Sequence, residues 1–172
     1  MPPDETLIAP KPGMPDIRPD IANVEAVDAG MLDTSELDGL VGFRLRLASV
    51  AVQQDFNRAM NDLQLTQMQT AVMMLIQRHP GVSQVALAAA LDTDRATMMG
   101  VVDRLEARDL LQRRRSTEDR RRQELHLTRK GTSILKKARQ LIAAHERKFC
   151  QQFSLAEHQM LFDMLERITQ SK

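Results

Sequence analysis

Residues 83–131 read SQVALAAALDTDRATMMGVVDRLEARDLLQRRRSTEDRRRQELHLTRKG, and the order of patterns inside this stretch decides the architecture. Ser83 stands where a helix cap is needed, its hydroxyl able to accept an orphan backbone N–H. Val85, Leu87, Ala88 and Leu91 then form a narrow apolar face, and the small Ala86, Ala88, Ala89 and Ala90 let a second helix pack closely. Asp92-Thr93-Asp94 is a polar break in which Thr93 or Asp94 can cap the next helix. Met98, Val101, Val102 and Leu105 recur at helical spacing and should face inward, which turns Arg95, Thr97, Met99, Gly100 and Arg104 outward. After Leu110-Leu111 the pattern becomes that of strands. Gln112-Arg113-Arg114-Arg115 runs into a turn at Ser116–Asp119, Leu125 and Leu127 alternate with polar neighbours, and Thr128 caps a further helix.

Helix, turn, helix, basic hairpin, helix is the outline of a winged helix-turn-helix, which places a helix in the DNA major groove. The expected fold is mainly α with a small β-hairpin wing, flanked by long N- and C-terminal dimerisation helices. The hairpin tip carries Arg120, Arg121 and Arg122. A thin basic hairpin can enter the minor groove, where negative potential attracts arginine.

The segments VVDRLEARDLL at 101–111, DRR at 119–121 and LTRKG at 127–131 resemble the MarR (multiple antibiotic resistance regulator) family. Asp119 lies eight residues before Leu127, the wing spacing usual in that family. The resemblance covers about Leu37 to Ile168. It implies a dimeric bacterial or archaeal transcription regulator, usually a repressor relieved by a small molecule, with the first and last helices interleaved in the dimer. One departure is Gly100, where family members often carry a polar or basic residue. Gly100 offers no side chain to a base and weakens a helix by ~1 kcal/mol relative to alanine. The expected DNA-binding set is Ser83, Thr93, Arg95, Thr97, Met99, Gly100, Arg104, Arg115, Asp119, Arg120, Arg121 and Arg122. Asp103 and Asp119 are acids in this basic surface and can orient arginines, Asp119 through Arg121 or Arg115.

The net charge of +1 conceals a strong asymmetry. Residues 1–38 hold nine acids and two bases, whereas residues 111–139 hold eleven bases and three acids. Basic charge is therefore gathered on the wing and the helix after it, as phosphate contact requires. Residues 1–34 form an acidic extension holding six of the seven prolines, expected to be mostly disordered and without the pattern of a signal peptide. The winged-helix domain is expected over 35–172, with a DNA-binding lobe at about 64–128. Its dimerisation helices should cover about 35–62 and 128–171.

The first of those helices is read as continuous from about Glu36 to Asn61, capped by Ser35. Leu37, Leu40, Val41, Leu45, Ala48, Val52, Phe56, Ala59 and Met60 give it more apolar surface than a peripheral helix of a monomer needs. Thr66-Gln67-Met68-Gln69 and Ser154-Leu155-Ala156-Glu157 are capping boxes opening two further helices. Trp and Tyr are absent, and the five phenylalanines all lie outside the helix-turn-helix. Leu37, Phe56, Phe149, Phe153 and Phe162 are the candidate dimer contacts.

Arg44 and Arg46 lie about 200° apart around a helix, so at most one points into a pocket between the dimer helices and the DNA-binding lobe. There it could anchor an anionic ligand, with Met68 or Met73 against the apolar body; otherwise it is an interface salt bridge or a solvated arginine. Met60, Met68, Met73 and Met74 at helical spacing are read first as core, with the lining of an adaptable apolar pocket as the alternative. The favoured effector is an aromatic carboxylate or its coenzyme A thioester. Cys150, between Phe149 and Phe153, is read as a small buried hydrophobe, with a thiol switch as the alternative. A winged-helix protein-interaction module without DNA binding is a further alternative, disfavoured by three arginines at a hairpin tip. His79, His126, His145 and His158 are scattered without metal-ligand spacing, so neither metal nor cofactor is expected. No catalytic constellation is present and an enzyme is not expected. No apolar run reaches the roughly 18 residues of a membrane span, and one cysteine suits the cytosol. The expected partners are double-stranded DNA bearing a near-palindromic operator, a second copy of the chain, and the effector.

Overall fold

The computed structural model describes residues 33–115 and 123–170. The acidic extension and the hairpin tip, Asp119 and Arg120–Arg122 included, lie outside the described residues. The elements are α1 (Ser35–Asp38), α2 (Val41–Ala59), α3 (Gln67–Arg78), α4 (Gln84–Ala90), α5 (Arg95–Ala107), β1 (Leu111–Arg115), β2 (Gln123–Leu127), α6 (Arg129–Cys150) and α7 (Leu155–Thr169). A single 3₁₀ turn, Asn61–Leu63, joins α2 to α3. The chain divides into two units, Met1–Phe43 and Arg44–Lys172.

In the first unit, the continuous helix expected from Glu36 is interrupted. α1 ends at Gly39, and α2 begins at Val41. Ser35 is not the cap: Thr34 holds that position without a side-chain bond, and the Ser35 amide instead donates to Asp33 Oδ1 at 2.9 Å. Glycine lowers helix propensity, and here it coincides with the break.

In the second unit the caps fall where polar residues precede apolar periodicity. Thr66 Oγ1 accepts from the Gln69 amide while Gln69 Oε1 accepts from the Thr66 amide, and Ser154 and Glu157 repeat that reciprocal pair. Thr128 caps α6 through the Gly131 amide at 2.9 Å. The strands pair antiparallel, Leu111 opposite Leu127 and Arg115 opposite Gln123. Val82 adds a bridge to Leu125 on the far side of β2, so the chain entering α4 is tied to the wing.

One core serves this unit. Met60, Val72, Met73, Ile76, Leu87, Met98, Val102, Leu105, Leu110, Leu111, Leu125 and Leu135 are its largest fully buried side chains. All four inward positions expected of α5 are buried, whereas Val85, expected on the apolar face of α4, is 54 % exposed. Burying each such side chain contributes about 1.5–3 kcal/mol, so aliphatic residues and methionine carry the fold with Phe56 as the one buried phenylalanine.

Three polar joints lock helices onto this core. Arg108 donates to the carbonyls of Gln64 at 2.5 Å and Leu63 at 2.8 Å, fastening the end of α5 to the loop before α3. Lys130 Nζ donates to the Arg108 carbonyl at 2.8 Å. Asp55 on α2 accepts from His145 Nδ1 at 2.9 Å, from Lys148 and from Arg58. The His145 ring is packed edge-on between Phe56 and Phe149. Bonds from Lys148 and then His145 hold the Asp55 carboxyl far below the ordinary carboxylate range.

α7 stands apart from this packing. Every residue from Leu155 to Thr169 except His158 is exposed, Leu155 at 87 % and Phe162 at 54 %.

Candidate DNA-binding surface

Ser83 Oγ accepts from the Ala86 amide at 3.2 Å, starting α4. The turn to α5 uses Asp92 at φ 47, a left-handed conformation that Asp tolerates better than most residues. Of the two expected caps, Asp94 is the one used. Its carboxylate accepts from the Thr97 amide at 2.8 Å and the Thr97 hydroxyl at 2.6 Å, which lowers its pKa. The Thr97 hydroxyl is thus bound at the helix start, and Thr93 is half-buried.

Met98, Val101, Val102 and Leu105 bury one side of α5. At about 100° per residue, the centre of the opposite side falls to Ala96, Gly100, Asp103 and Ala107, flanked by Met99 and Arg104, with Arg95 in the first turn nearer the buried side. All of these are exposed except Gly100, which is half-buried. The middle of the outward face is therefore short-sided, so backbone can come close to whatever this helix meets. A Cβ at Gly100 would stand 3.6 Å from Arg104 Nη1, so the Arg104 guanidinium is folded back over the glycine. Among the described residues the Arg104 side chain makes no hydrogen bond or ion pair.

The wing is held to α5 by a cation that the sequence reading left unassigned. Arg113 on β1 forms ion pairs with both Asp103 and Glu106 of α5. Partial burial works against its charge, and the two carboxylates more than offset this, raising its pKa. Asp103 therefore does orient an arginine, the one paired across from Leu125 in the hairpin. Arg115 is exposed at the end of β1.

Gly131 accounts for the last letter of LTRKG. A Cβ there would lie 1.8 Å from the Leu110 carbonyl oxygen, which accepts from the Thr128 amide at 3.1 Å. Only a glycine lets the first turn of α6 sit on the chain entering the wing.

The expected ligand residues are spread over α2 and α3. Arg44 and Arg46 are exposed, Met68 is half-buried and Met73 is sealed in the core. Of the expected dimer contacts, Phe56 is buried within the chain and Phe149 half-buried, while Leu37, Phe153 and Phe162 are exposed. Cys150 is not fully buried as expected: it is half-exposed, with Sγ 3.3 Å from His158 Nε2. That pair spans the α6–α7 turn, and an eight-residue separation across a loop carries no helical periodicity that would reveal it. Among the described residues no cluster of three potential metal ligands occurs, and no helix is long and apolar enough to cross a membrane.

A capped helix-turn-helix whose second helix is clamped to an arginine-rich hairpin defines a winged-helix DNA-binding protein. The MarR family pattern matches residues 65–122. A putative transcriptional regulatory protein for the hcr operon of Thauera aromatica is 33 % identical over 142 residues, 82 % of this chain and 86 % of the relative. The structure of the transcriptional repressor CouR bound to a 23-mer DNA duplex is similar at a TM-score of 0.75 and 34 % identity, over 80 % of this chain and 98 % of that one. CouR bound to p-coumaroyl-CoA is similar at a TM-score of 0.75 and 32 % identity, over 80 % and 97 %. The chain belongs to the MarR family of winged-helix, DNA-binding transcription regulators.

Proposed function

We propose that the chain is a homodimeric repressor released from a near-palindromic operator by a small aromatic acid or its coenzyme A thioester. The observation that carries the dimer is α7, an amphipathic helix whose apolar side chains are exposed among the described residues, together with Leu47 and Val50 of α2. Apolar surface of that extent calls for a partner. A second copy supplies one, with Phe153 and Phe162 at the contact, and sets two α5 helices at the spacing of successive major grooves.

Each protomer reads its half-site through Arg95, Met99 and Arg104. Ser83, Thr93 and Arg115 take phosphates, Thr97 serves the Asp94 cap, and Arg120, Arg121 and Arg122 enter the minor groove. The CouR complexes with DNA and with p-coumaroyl-CoA support a DNA-bound and a thioester-bound state in this family. In this chain Arg44 or Arg46 anchors the carboxylate or carbonyl end, and half-buried Met68 is better placed than sealed Met73 to touch the ring. The ligand releases DNA only by binding the operator-incompetent dimer more tightly. A gel shift on the DNA upstream of the chain's own gene, repeated with aromatic acids and their thioesters, tests this. Operator binding that no such ligand relieves refutes the effector class, and no binding refutes the repressor.

The Cys150–His158 contact favours a second reading, release on oxidation of the thiol. Loss of operator binding under mild peroxide that Cys150→Ser abolishes is its signature.

A further inference from the structure

Between the C-terminal turn of α3 and the first three turns of α6 lies a groove of about 460 Å³, lined by Gln77, Arg129, Thr132, Ser133, Lys136 and Arg139. The α6 residues recur at intervals of three or four and occupy one side of the helix. The other side buries Gly131, Leu135 and Ala138. No carboxylate lines the groove.

Its cations are unlike the others nearby. Arg108, Lys130, Arg113 and Lys148 are each spent on a carbonyl or a carboxylate. The side chains of Arg129, Lys136 and Arg139 make no hydrogen bond or ion pair among the described residues. Like charges three or four residues apart on a helix repel. Here three of them converge on one concavity, with the Gln77 amide and Ser133 hydroxyl as further donors. Thr132 is less free, since its hydroxyl donates to the Thr128 carbonyl at 3.0 Å.

Ten residues of helix from Arg129 to Arg139 span ~15 Å, longer than one carboxylate and suited to two or three phosphate groups. Guanidinium forks pair with phosphate oxygens two at a time. α6 packs chiefly on α3 and β2, whereas the outward side chains of the helix-turn-helix belong to α5.

We propose that this groove is a phosphate-binding site, holding the phosphates of an organic diphosphate effector. The inference extends the effector-responsive reading above, and a diphosphate is what a coenzyme A thioester carries beyond its acyl group. DNA backbone phosphate is the other source of the same chemistry, and the experiment separates the two.

The full chain, and a variant carrying Lys136→Gln and Arg139→Gln, are titrated calorimetrically with inorganic diphosphate and with coenzyme A. Both proteins are also tested on operator DNA over a range of salt. Both substituted side chains are exposed, and thermal melts confirm that the fold is kept. The expected result is binding of both probes by the unsubstituted chain, at least tenfold weaker in the variant, with operator affinity falling by a clearly smaller factor. If neither probe binds but the variant loses operator affinity, with a salt slope reduced by about one per cation removed, the phosphates are those of DNA. If both proteins behave alike on all ligands, the proposal is overturned. Failure of the unsubstituted chain to bind operator refutes the repressor reading, yet leaves the diphosphate titration to decide the groove.

Discussion

At the scale of single residues, two glycines carry opposite expectations. Gly131→Ala puts a methyl group 1.8 Å from a backbone oxygen that cannot retreat without losing its bond from Thr128. Overpacking of this kind costs about 1–3 kcal/mol, so denaturant unfolding should show at least that loss. Unchanged stability would mean that the α6 start slides freely on the wing. At Gly100 a Cβ meets Arg104 only at 3.6 Å, an ordinary contact. Gly100→Ala should therefore raise stability by up to ~1 kcal/mol through helix propensity, seen as a higher melting temperature. Arg113→Ala is a third case. Its guanidinium serves Asp103 and Glu106, so removing it should leave the hairpin paired but badly aimed. Operator affinity should fall severalfold while far-ultraviolet circular dichroism stays the same.

At the scale of elements, the Asp55 joint makes α2–α6 packing sensitive to acid. The folded carboxyl ionises well below its unfolded value of about 3.9. Its stabilisation is complete above that unfolded value and disappears as pH falls toward the folded one. Between about pH 5 and pH 3 the protein should lose more stability than Asp55→Asn does, although the variant starts lower at neutral pH. Parallel acid profiles would show that the joint contributes nothing. This joint was invisible in the sequence because Asp55 and His145 are 90 residues apart and meet only through packing. Caps were legible at Ser83, Thr66, Thr128 and Ser154 because they are local chemistry: a short oxygen-bearing side chain beside an apolar period. The inward face of α5 was legible for the same reason. The break at Gly39 was missed because apolar spacing continues across it, from Leu37 and Leu40 to Val41 and Leu45, and spacing outweighed the glycine. The Arg113 clamp was missed since three consecutive arginines look alike until hairpin register singles one out.

At the scale of the whole molecule, the proposals concern assembly and charge. Phe162→Glu lies on the bare face of α7, so it should turn a dimer into a monomer in sedimentation without changing the melt of the monomer core. A protein already monomeric at micromolar concentration would reject the interface. A dimer that neutralises about 6–10 phosphates should lose about 10³–10⁵ in operator affinity between roughly 50 and 200 mM salt. A flat response would remove the basic wing from the contact.

The aliphatic and methionine core has an optical corollary. The chain contains no tryptophan and no tyrosine, and its five phenylalanines absorb feebly where most proteins are quantified. The protein is therefore almost dark. An aromatic effector would be the brightest chromophore in its own complex, readable through its own absorption or emission against an empty background. A single tryptophan written into α5 beside Met99 would report DNA engagement in the same way, with no native fluorophore to subtract.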